Sequence, residues 1–570
     1  MTPPDMRLSL SRTPAARSRR GSTPVFVGLA TAAVATLVAV GWWWSSTAKV
    51  AARPLAAAPI AAAEESTQEA PDAPDFDGGT AWLNTAGPLK IKDLKGKIVL
   101  LDFWTLCCIN CIHVMPDLAK LEKKYPNQLV VIGVHSAKFD NEKDTASIRK
   151  AVLRYEIAHP VVNDADHKIW DRYGVQSWPT MVLIDPEGKV VGATSGEGNL
   201  ELLDKAIGKL VETHKAKKTL DEKPMRFDLV RYRDKGDTPL FFPGKVLADG
   251  PGNRLFIADS THHRIVVTDL TGKKLSIIGT GTPGRKDGPI AEAQFDDPQG
   301  MALHGETLYV ADRKNHLIRA VDLKAGTVNT VAGTGSQAQD TRFLERPAAA
   351  RAVGLNSPWA LLLHEKELFI AMAGHHQIWK MDLETSKIGP FAGNGRENIK
   401  DGPLFAAEFA QPSGLASDGK NLYVADSEVS AIRKLPLSGN GRVDTLVGRG
   451  LFNFGDVDGV GLAAKLQHAL GVTFHDGVLY VADTYNSKLK TIDPTTKECK
   501  SFLGGDPKDP LFNEPAGLSF ANGKLYVADT NANRIRVVDL ASKKVSTLEL
   551  TGVEPPPPQK DWLPPAPEKK

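Results

Sequence analysis

The C-terminal half of this chain repeats one segment six times, and this repetition limits the possible fold more than any other feature. Each copy contains an apolar strand, a polar turn and a second strand, as in LYVADRKNHLI, and each follows a turn rich in proline and glycine. Repeats that each supply one small sheet are typical of propeller blades. The sequence therefore predicts an all-β, six-bladed propeller over residues 236–552. The copies lie 46 to 60 residues apart and begin at Leu255, Leu308, Leu368, Leu422, Leu479 and Leu525.

An acidic residue recurs in the repeats and raises the question of a metal site. It is present in five copies, and Met372 replaces it in the third. A residue that recurs blade after blade is better explained as a turn cap than as a ligand, so we predict a structural role and no metal. The lone Cys499 is predicted to be an inert packing residue. The recurring residues are Asp259, Asp312, Asp426, Asp483 and Asp529.

The charge balance excludes one class of partner. The chain has 70 basic and 67 acidic residues and a formal net charge of +3, which is small for 570 residues. Nucleic-acid-binding domains carry a clear basic excess or stripe. We therefore predict no nucleic-acid partner.

Three of the four cysteines, Cys107, Cys108 and Cys111, lie within five positions, a distribution that suggests chemistry or metal binding, not structural disulfides. The apolar runs at 98–104 and 129–134 are short enough to be buried strands of a parallel sheet, and the segment between them has helical periodicity. The cysteines thus stand where a strand leads into a helix. This order is typical of an α/β domain.

The spacing of the cysteine pair predicts a division of roles. A thiol at the start of a helix meets the positive end of the helix dipole, which stabilises its thiolate. Cys108 is therefore the predicted nucleophile. Cys111, one helical turn further on, is placed to attack the resulting mixed disulfide and is the predicted resolving thiol.

These residues resemble the thioredoxin-like oxidoreductases. The resemblance rests on DFW at 102–104, the cysteine pair, Pro116 and the segment GVQSWPT from Gly174. It implies that Pro179 is the cis-proline beside the cysteines and that Asp102 is the buried acid that accepts a proton from Cys111. Cys107 and Trp178 adjoin these residues and are accessory positions. The implied domain covers residues 76–215 and needs no cofactor beyond the redox-active pair Cys108–Cys111.

The cysteine motif departs from the family pattern in ways that leave its chemistry open. Cys107 replaces the usual tryptophan, and Ile109 and Asn110 replace the usual Gly-Pro pair. Because redox potential depends on these positions, the direction of electron flow is not determined. A second possibility is Cu(I) binding, because Cys107 and Cys111 are soft ligands that could act with His113 or His135.

The complete chain resembles a more specific family. The repeats are similar to NHL repeats, and the strings CCINC, GVHSAKFDNEK and FPGKV are similar to those of the NHL-repeat-containing protein 2 family, which includes bacterial relatives. The resemblance covers roughly residues 80 to 550. It implies a thioredoxin-like domain joined by a connector, 216–235, to the six-bladed propeller.

The N-terminus predicts a membrane anchor. An arginine-rich segment, 1–23, precedes an uncharged apolar stretch, 24–44, and about 20 such residues span a bilayer as a helix. The basic flank keeps the first segment in the cytoplasm and places the folded domains on the periplasmic side. A cleaved signal peptide is the alternative, although its apolar region is usually shorter. Residues 45–75 form the predicted linker, and 553–570 form a proline-rich tail.

Together these observations predict a thiol–disulfide oxidoreductase anchored in the cytoplasmic membrane. It would act on protein thiols or disulfides outside the cytoplasm, and the propeller would bind the protein substrate or redox partner. The alternative is a non-enzymatic interaction platform in which the thioredoxin-like domain is redox-inert. Loss of Cys108 distinguishes the two, because a platform tolerates it.

Overall fold

In the computed structural model of this protein, the residues described are 59–60, 70–234, 236–338, 347–506 and 508–558. They form a thioredoxin-like α/β domain followed by a β-propeller of six sheets. The fold class predicted for these two parts is therefore confirmed. The predicted anchor, 24–44, lies outside the described residues.

The N-terminal domain is built on one mixed six-stranded sheet in the order β1-β4-β3-β2-β5-β6. Strands β2, β3 and β4 are parallel, and β1, β5 and β6 are antiparallel to their neighbours. The strands are β1 Ala81–Leu83, β2 Ile98–Trp104, β3 Leu129–His135, β4 Val161–Asn163, β5 Thr180–Ile184 and β6 Val190–Ser195, and the helices are α1 Ile109–Lys124, α2 Thr145–Arg154, α3 Lys168–Tyr173 and α4 Leu200–Lys217.

The central strands β2 and β3 are buried along their whole length, which explains their continuous apolar sequences. One face of the sheet packs against α3 through Ile169 and Trp170, and the other packs against α1 and α4 through Leu118 and Ile207. The sheet therefore holds the N-terminus of α1 at the carboxyl end of β2. Short 3₁₀ turns lie at Ile91–Leu94, Asp140–Lys143 and Val230–Tyr232.

Each blade of the propeller is an antiparallel sheet whose strands run in chain order from the axis outward. The first and last innermost strands pack together and close the ring. Blade 1 comprises Lys245–Asp249, Arg254–Asp259, Arg264–Thr268 and Lys274–Ile278; blade 2, Pro298–His304, Thr307–Asp312, Leu317–Asp322 and Thr327–Ala332; blade 3, Pro358–His364, Glu367–Met372, Gln377–Asp382 and Lys387–Ala392; blade 4, Pro412–Ser417, Asn421–Asp426, Ala431–Pro436 and Arg442–Val447; blade 5, Gly471–His475, Val478–Asp483, Lys488–Ile492 and Glu498–Gly504; blade 6, Pro515–Ala521, Lys524–Asp529, Arg534–Asp539 and Val545–Thr547.

The segments that precede blades 2 to 5 each add a short fifth strand to the outer edge of the following blade. The two-residue strand Gly288–Pro289, for example, pairs with the outer strand of blade 2. Such pairing covers part of an edge that would otherwise expose unpaired backbone groups. The equivalent strands are Ala348–Ala349, Gly402–Pro403 and Gly459–Val460.

The recurring aspartates have the predicted structural role. Each is fully buried and accepts a hydrogen bond from the backbone N–H of a residue just before the innermost strand of its blade. Asp259 accepts from Phe241 and Asp426 accepts from Ala410, both at 2.7 Å. These carboxylates fix the turns on one face of the propeller, and that face contacts the N-terminal domain.

The sequence predicted a single-pass membrane localisation with the folded domains on the periplasmic side, and this prediction is wrong. Within the described residues, no helix is both long and apolar enough to cross a bilayer. The longest helix of the thioredoxin-like domain, α4, has 18 residues but carries several charged side chains, among them Glu201, Asp204 and Lys205. Only one face of this helix is apolar, and that face packs on the sheet. An amphipathic helix of this kind covers a protein core with its apolar face.

Candidate functional site

Helix α1 begins at Ile109, directly after Cys108, as the sequence predicts. Cys108 is the N-cap residue in an extended conformation, with φ −75° and ψ 115°. Its sulfur accepts a hydrogen bond from the backbone N–H of Cys111 at 3.3 Å. The chain thus presents Cys108 Sγ to the free N–H groups of the first helical turn, where negative charge is stabilised.

Cys111 lies one turn further in and is fully buried, whereas 9% of Cys108 is exposed. Burial is the largest cause of the raised pKa of the Cys111 thiol, followed by its contact with Cys108 and the nearby charge of Asp102. A protonated thiol in this position needs a base before it can attack a disulfide. All four cysteines are free in the structure.

Asp102 is a strand residue beneath the cysteines and is only 2% exposed. Its Oδ1 atom has no hydrogen-bond partner among the described residues. Burial raises the pKa of Asp102 to about 7, and His159 partly opposes this shift. The carboxyl group can therefore exchange a proton near neutral pH, as a general base requires.

The raised pKa of Asp102 predicts a pH-dependent effect of Asp102→Asn on stability. In the folded protein the Asp102 carboxyl group keeps its proton up to about pH 7, whereas in the unfolded chain it loses the proton near pH 4. The stabilisation that the protonated form gives to the folded state is therefore lost as the pH rises from about 4 to about 7. Asp102→Asn should therefore be more stable than the wild type at pH 8, by on the order of 2–4 kcal/mol, and nearly equal at pH 4. Unfolding of the full chain at both pH values measures this, with Asp117→Asn on the outer face of α1 as control. An equal gain at both pH values would contradict the assignment.

The loop before β5 approaches the cysteines from the other side. The Trp178–Pro179 peptide bond is cis, as the family resemblance implied. Trp178 is half-buried, contacts Trp170 with ring centroids 4.6 Å apart and ring planes tilted by 45°, and packs against the apolar cluster that contains the three clustered cysteines. Cys108, Cys111, Asp102, Pro179 and Trp178 thus occupy one end of the sheet.

Cys107 lies in a different environment from Cys108. Its backbone N–H donates to Glu142 Oε1 at 3.0 Å, and its thiol donates to Glu428 Oε1 in blade 4 at 3.6 Å. Burial is the largest cause of the raised pKa of this thiol, and the two carboxylates add to it. Cys107 is therefore held as a neutral thiol beside the predicted nucleophile.

The propeller covers this end of the sheet with one equivalent residue from each blade. We call these six residues the docking ring. Each lies just before the innermost strand of its blade and has a left-handed φ between 48° and 62°. Five of the six side chains contact the N-terminal domain, whereas that of Asp297 accepts hydrogen bonds from Gln299 and Arg313 of its own blade. The ring consists of Phe242, Asp297, Ser357, Gln411, His468 and Glu514.

Members of the docking ring contact separate parts of the N-terminal domain. The ring residue of blade 3, Ser357, bonds to His113 Nε2 at 2.7 Å, and that of blade 6, Glu514, bonds to Arg154 at 3.1 Å and to Asn141 at 2.9 Å. His468 packs on Phe139, with ring centroids 5.3 Å apart.

Gln411, the ring residue of blade 4, accepts the backbone N–H of Ile109 at 2.9 Å. This bond joins the propeller to the first turn of α1.

A buried ion pair strengthens this interface next to Cys107. Lys138 Nζ lies 2.7 Å from Glu428 Oε1, and the two side chains are 4% and 6% exposed. The Glu428 carboxylate raises the pKa of Lys138, against the opposing effect of burial.

A groove of about 1080 Å³ between α1 and blades 2 and 3 is lined by His113, Tyr155 and Lys314, among others, but by no cysteine. The propeller therefore closes over the thiols in this structure.

The residues considered for Cu(I) do not converge within the described part of the chain. His113 instead bonds to Glu197 at 2.6 Å and to Ser357, and His135 Nε2 accepts the backbone N–H of Leu106 at 3.3 Å. Cys107 and Cys111 face different neighbours, as described above. The geometry gives the copper alternative no support.

Several residues of the site were not predicted from the sequence. Glu142 accepts hydrogen bonds from Thr105, Cys107, Lys138 and Phe139, and Gln411 and Glu428 come from the propeller, about 300 residues away in sequence. The signal available for Gln411 is its repeat position before the innermost strand, where each blade carries a different side chain.

Comparison with known proteins agrees with the two folds. The family model described as thioredoxin-like matches residues 96–190, and the NHL repeat model matches residues 512–538. Within the N-terminal domain, the thiol-disulfide oxidoreductase ResA of Bacillus thuringiensis is 36% identical over 122 residues, which are 21% of this chain and 68% of ResA.

Two relatives match both domains. Human NHL repeat-containing protein 2 is 44% identical over 486 residues, which cover 78% of this chain and 66% of the relative. The chloroplastic Protein SUPPRESSOR OF QUENCHING 1 of Arabidopsis thaliana is 45% identical over 525 residues, which cover 87% of this chain and 49% of the relative. The chain thus spans about half to two thirds of these longer proteins. It combines a thioredoxin-like domain with an NHL-repeat propeller and resembles NHL repeat-containing protein 2 along most of its length.

Proposed function

We propose that this protein catalyses thiol–disulfide exchange with protein thiols or disulfides, using Cys108 and Cys111 as its redox-active pair. The observation that carries the proposal is the placement of Cys108 Sγ at the N-terminus of α1, where it accepts the Cys111 N–H, above the buried Asp102. A thiol in such a position is a good nucleophile, and the carboxyl group supplies a base for the second thiol.

In the reducing direction, the Cys108 thiolate attacks one sulfur of the substrate disulfide. A mixed disulfide forms and the other substrate sulfur leaves as a thiolate. Asp102 takes the proton of Cys111, whose thiolate attacks Cys108 Sγ, closes the Cys108–Cys111 disulfide and releases the second substrate thiol. Two electrons pass from the cysteine pair to the substrate, and a dithiol donor restores the pair. The same steps run backwards when the protein oxidises a dithiol.

Pro179 and Trp178 form the wall against which an extended substrate segment would lie, beside Cys108. Because the propeller closes over the thiols, a protein partner reaches Cys108 when the docking ring moves away from the N-terminal domain. The propeller surface exposed in this way contributes to binding the partner. Cys107, neutral and hydrogen-bonded to Glu428, does not compete for the substrate.

A redox titration of the full chain tests this function. We expect the protein to form a Cys108–Cys111 disulfide with a single midpoint when it is equilibrated with mixtures of reduced and oxidised glutathione, and we expect it to accelerate reduction of a protein disulfide by a small dithiol. Alkylation of the remaining thiols, followed by mass spectrometry, identifies the pair. If no disulfide forms under any mixture and no reduction is accelerated, the chain is an interaction platform instead.

A further inference from the structure

Gln411 in blade 4 contacts the peptide unit that follows Cys108. Its Oε1 atom accepts the N–H of Ile109, the first residue of α1, at 2.9 Å. The other ring residues with direct bonds, Ser357 and Glu514, bind side chains of the N-terminal domain. The Gln411 bond is therefore distinct, since it occupies one of the free N–H groups whose partial positive charge acts on the Cys108 sulfur.

The backbone of Gln411 is held firmly in this position. The residue is 1% exposed, its N–H donates to His376 Nδ1 at 3.1 Å, and its carbonyl oxygen accepts from the hydroxyls of Ser413 and Ser427 at 2.8 and 2.7 Å. Because the Ile109 N–H is a donor, the oxygen of the carboxamide must face it. The Nε2 atom is then buried without a partner among the described residues. A buried donor without a partner is costly, which indicates that the oxygen contact at Ile109 is maintained for a reason.

We propose that Gln411 is a positioning residue through which the propeller sets the redox potential of the Cys108–Cys111 pair. The inference rests on the thiol–disulfide function proposed above. The Gln411 oxygen neutralises the dipole of the Ile109 N–H and adds partial negative charge close to Cys108. Both effects oppose ionisation of the Cys108 thiol in the docked protein. Since stabilisation of the thiolate favours the dithiol form, Gln411 makes the pair a stronger reductant.

Gln411→Met tests the proposal, because methionine preserves the length of the side chain and removes the oxygen. In the full chain we expect the equilibrium with glutathione to shift towards the dithiol by about tenfold, which is about 30 mV for a two-electron couple. We also expect the pH profile of Cys108 alkylation to move to lower pH. Gln411→Glu keeps an acceptor oxygen at the same distance. The reduction potential of the Cys108–Cys111 pair in this variant should therefore equal that of the wild type or lie below it. Gln467→Met is the matched control, because Gln467 Oε1 accepts the backbone N–H of Asp140 at 3.0 Å, outside α1, and its loss should leave the potential unchanged.

A second variant removes the donor instead of the acceptor. Ile109→Pro deletes the N–H at the first helical position, where proline is well tolerated, and Cys108 already has the extended conformation that a following proline requires. In this background Gln411→Met should shift the equilibrium by less than about twofold, because the bond through which Gln411 acts is absent.

The proposal is overturned if Gln411→Met leaves the equilibrium and the alkylation profile unchanged, if Gln411→Glu shifts them as far as Gln411→Met, or if the shift persists in the Ile109→Pro background. If the wild type forms no Cys108–Cys111 disulfide, the proposed function fails. The alkylation profile of Cys108 still decides whether Gln411 acts on this thiol.

Discussion

Cys108→Ser should abolish thiol–disulfide exchange, with a loss of roughly 10³-fold or more, because it removes the sulfur that attacks the substrate. Cys111→Ser should instead accumulate a mixed disulfide at Cys108, because the first attack still occurs and the resolving step does not. The rate of protein disulfide reduction and mass spectrometry of trapped adducts measure these two results. Cys499→Ser is the matched control, since this thiol is buried in blade 5, and should keep full activity.

Cys107→Ser shows whether the neighbouring thiol takes part. The contacts of Cys107 with Glu142 and Glu428 hold it neutral, so we expect a loss of less than about threefold, within the range of a small packing change. If Cys108→Ser stays active while Cys107→Ser does not, the nucleophile is Cys107 and the assignment above is wrong.

The second large effect concerns the interface. Lys138→Met leaves the buried Glu428 carboxylate without its cation, and loss of one partner of a buried pair costs about 3–5 kcal/mol. In the docked state the propeller covers the cysteines, and in the open state the docking ring has moved away and Glu428 is exposed to water. Most of this energy should therefore be lost from the docked state only. The fraction of open molecules, and with it the rate of maleimide labelling of Cys108, should rise by about 100-fold or more. Labelling of the full chain, followed over time by mass spectrometry, measures the change.

Two further variants make this test specific. Lys138→Met combined with Glu428→Gln removes both charges and should restore most of the protection, because no uncompensated charge remains buried. Lys143→Met breaks an exposed ion pair with Asp140 on the same loop and should have almost no effect. If the double variant labels as fast as Lys138→Met, the ion pair does not hold the propeller over the thiols.

Local sequence determined much of this protein. The periodic repeats predicted six blades, the apolar runs predicted β2 and β3, and the position of Cys108 predicted the start of α1, because strand alternation and helix capping depend on residues a few positions apart. The family resemblance added the cis bond at Pro179. The apolar N-terminal stretch predicted a membrane localisation that the described structure contradicts.

Only the tertiary structure decided what surrounds the cysteines. The six docking-ring positions are equivalent in the repeats, so no local pattern distinguishes Gln411 of blade 4 from Ser357 of blade 3. Which of them meets the first turn of α1 depends on how the propeller is rotated against the sheet, and contacts made over about 300 residues fix that rotation. The burial of Cys107 between Glu142 and Glu428 has the same origin. The sequence by itself specified two folds and a cysteine pair, whereas the packing of one fold against the other determined the charges and hydrogen bonds that act on that pair.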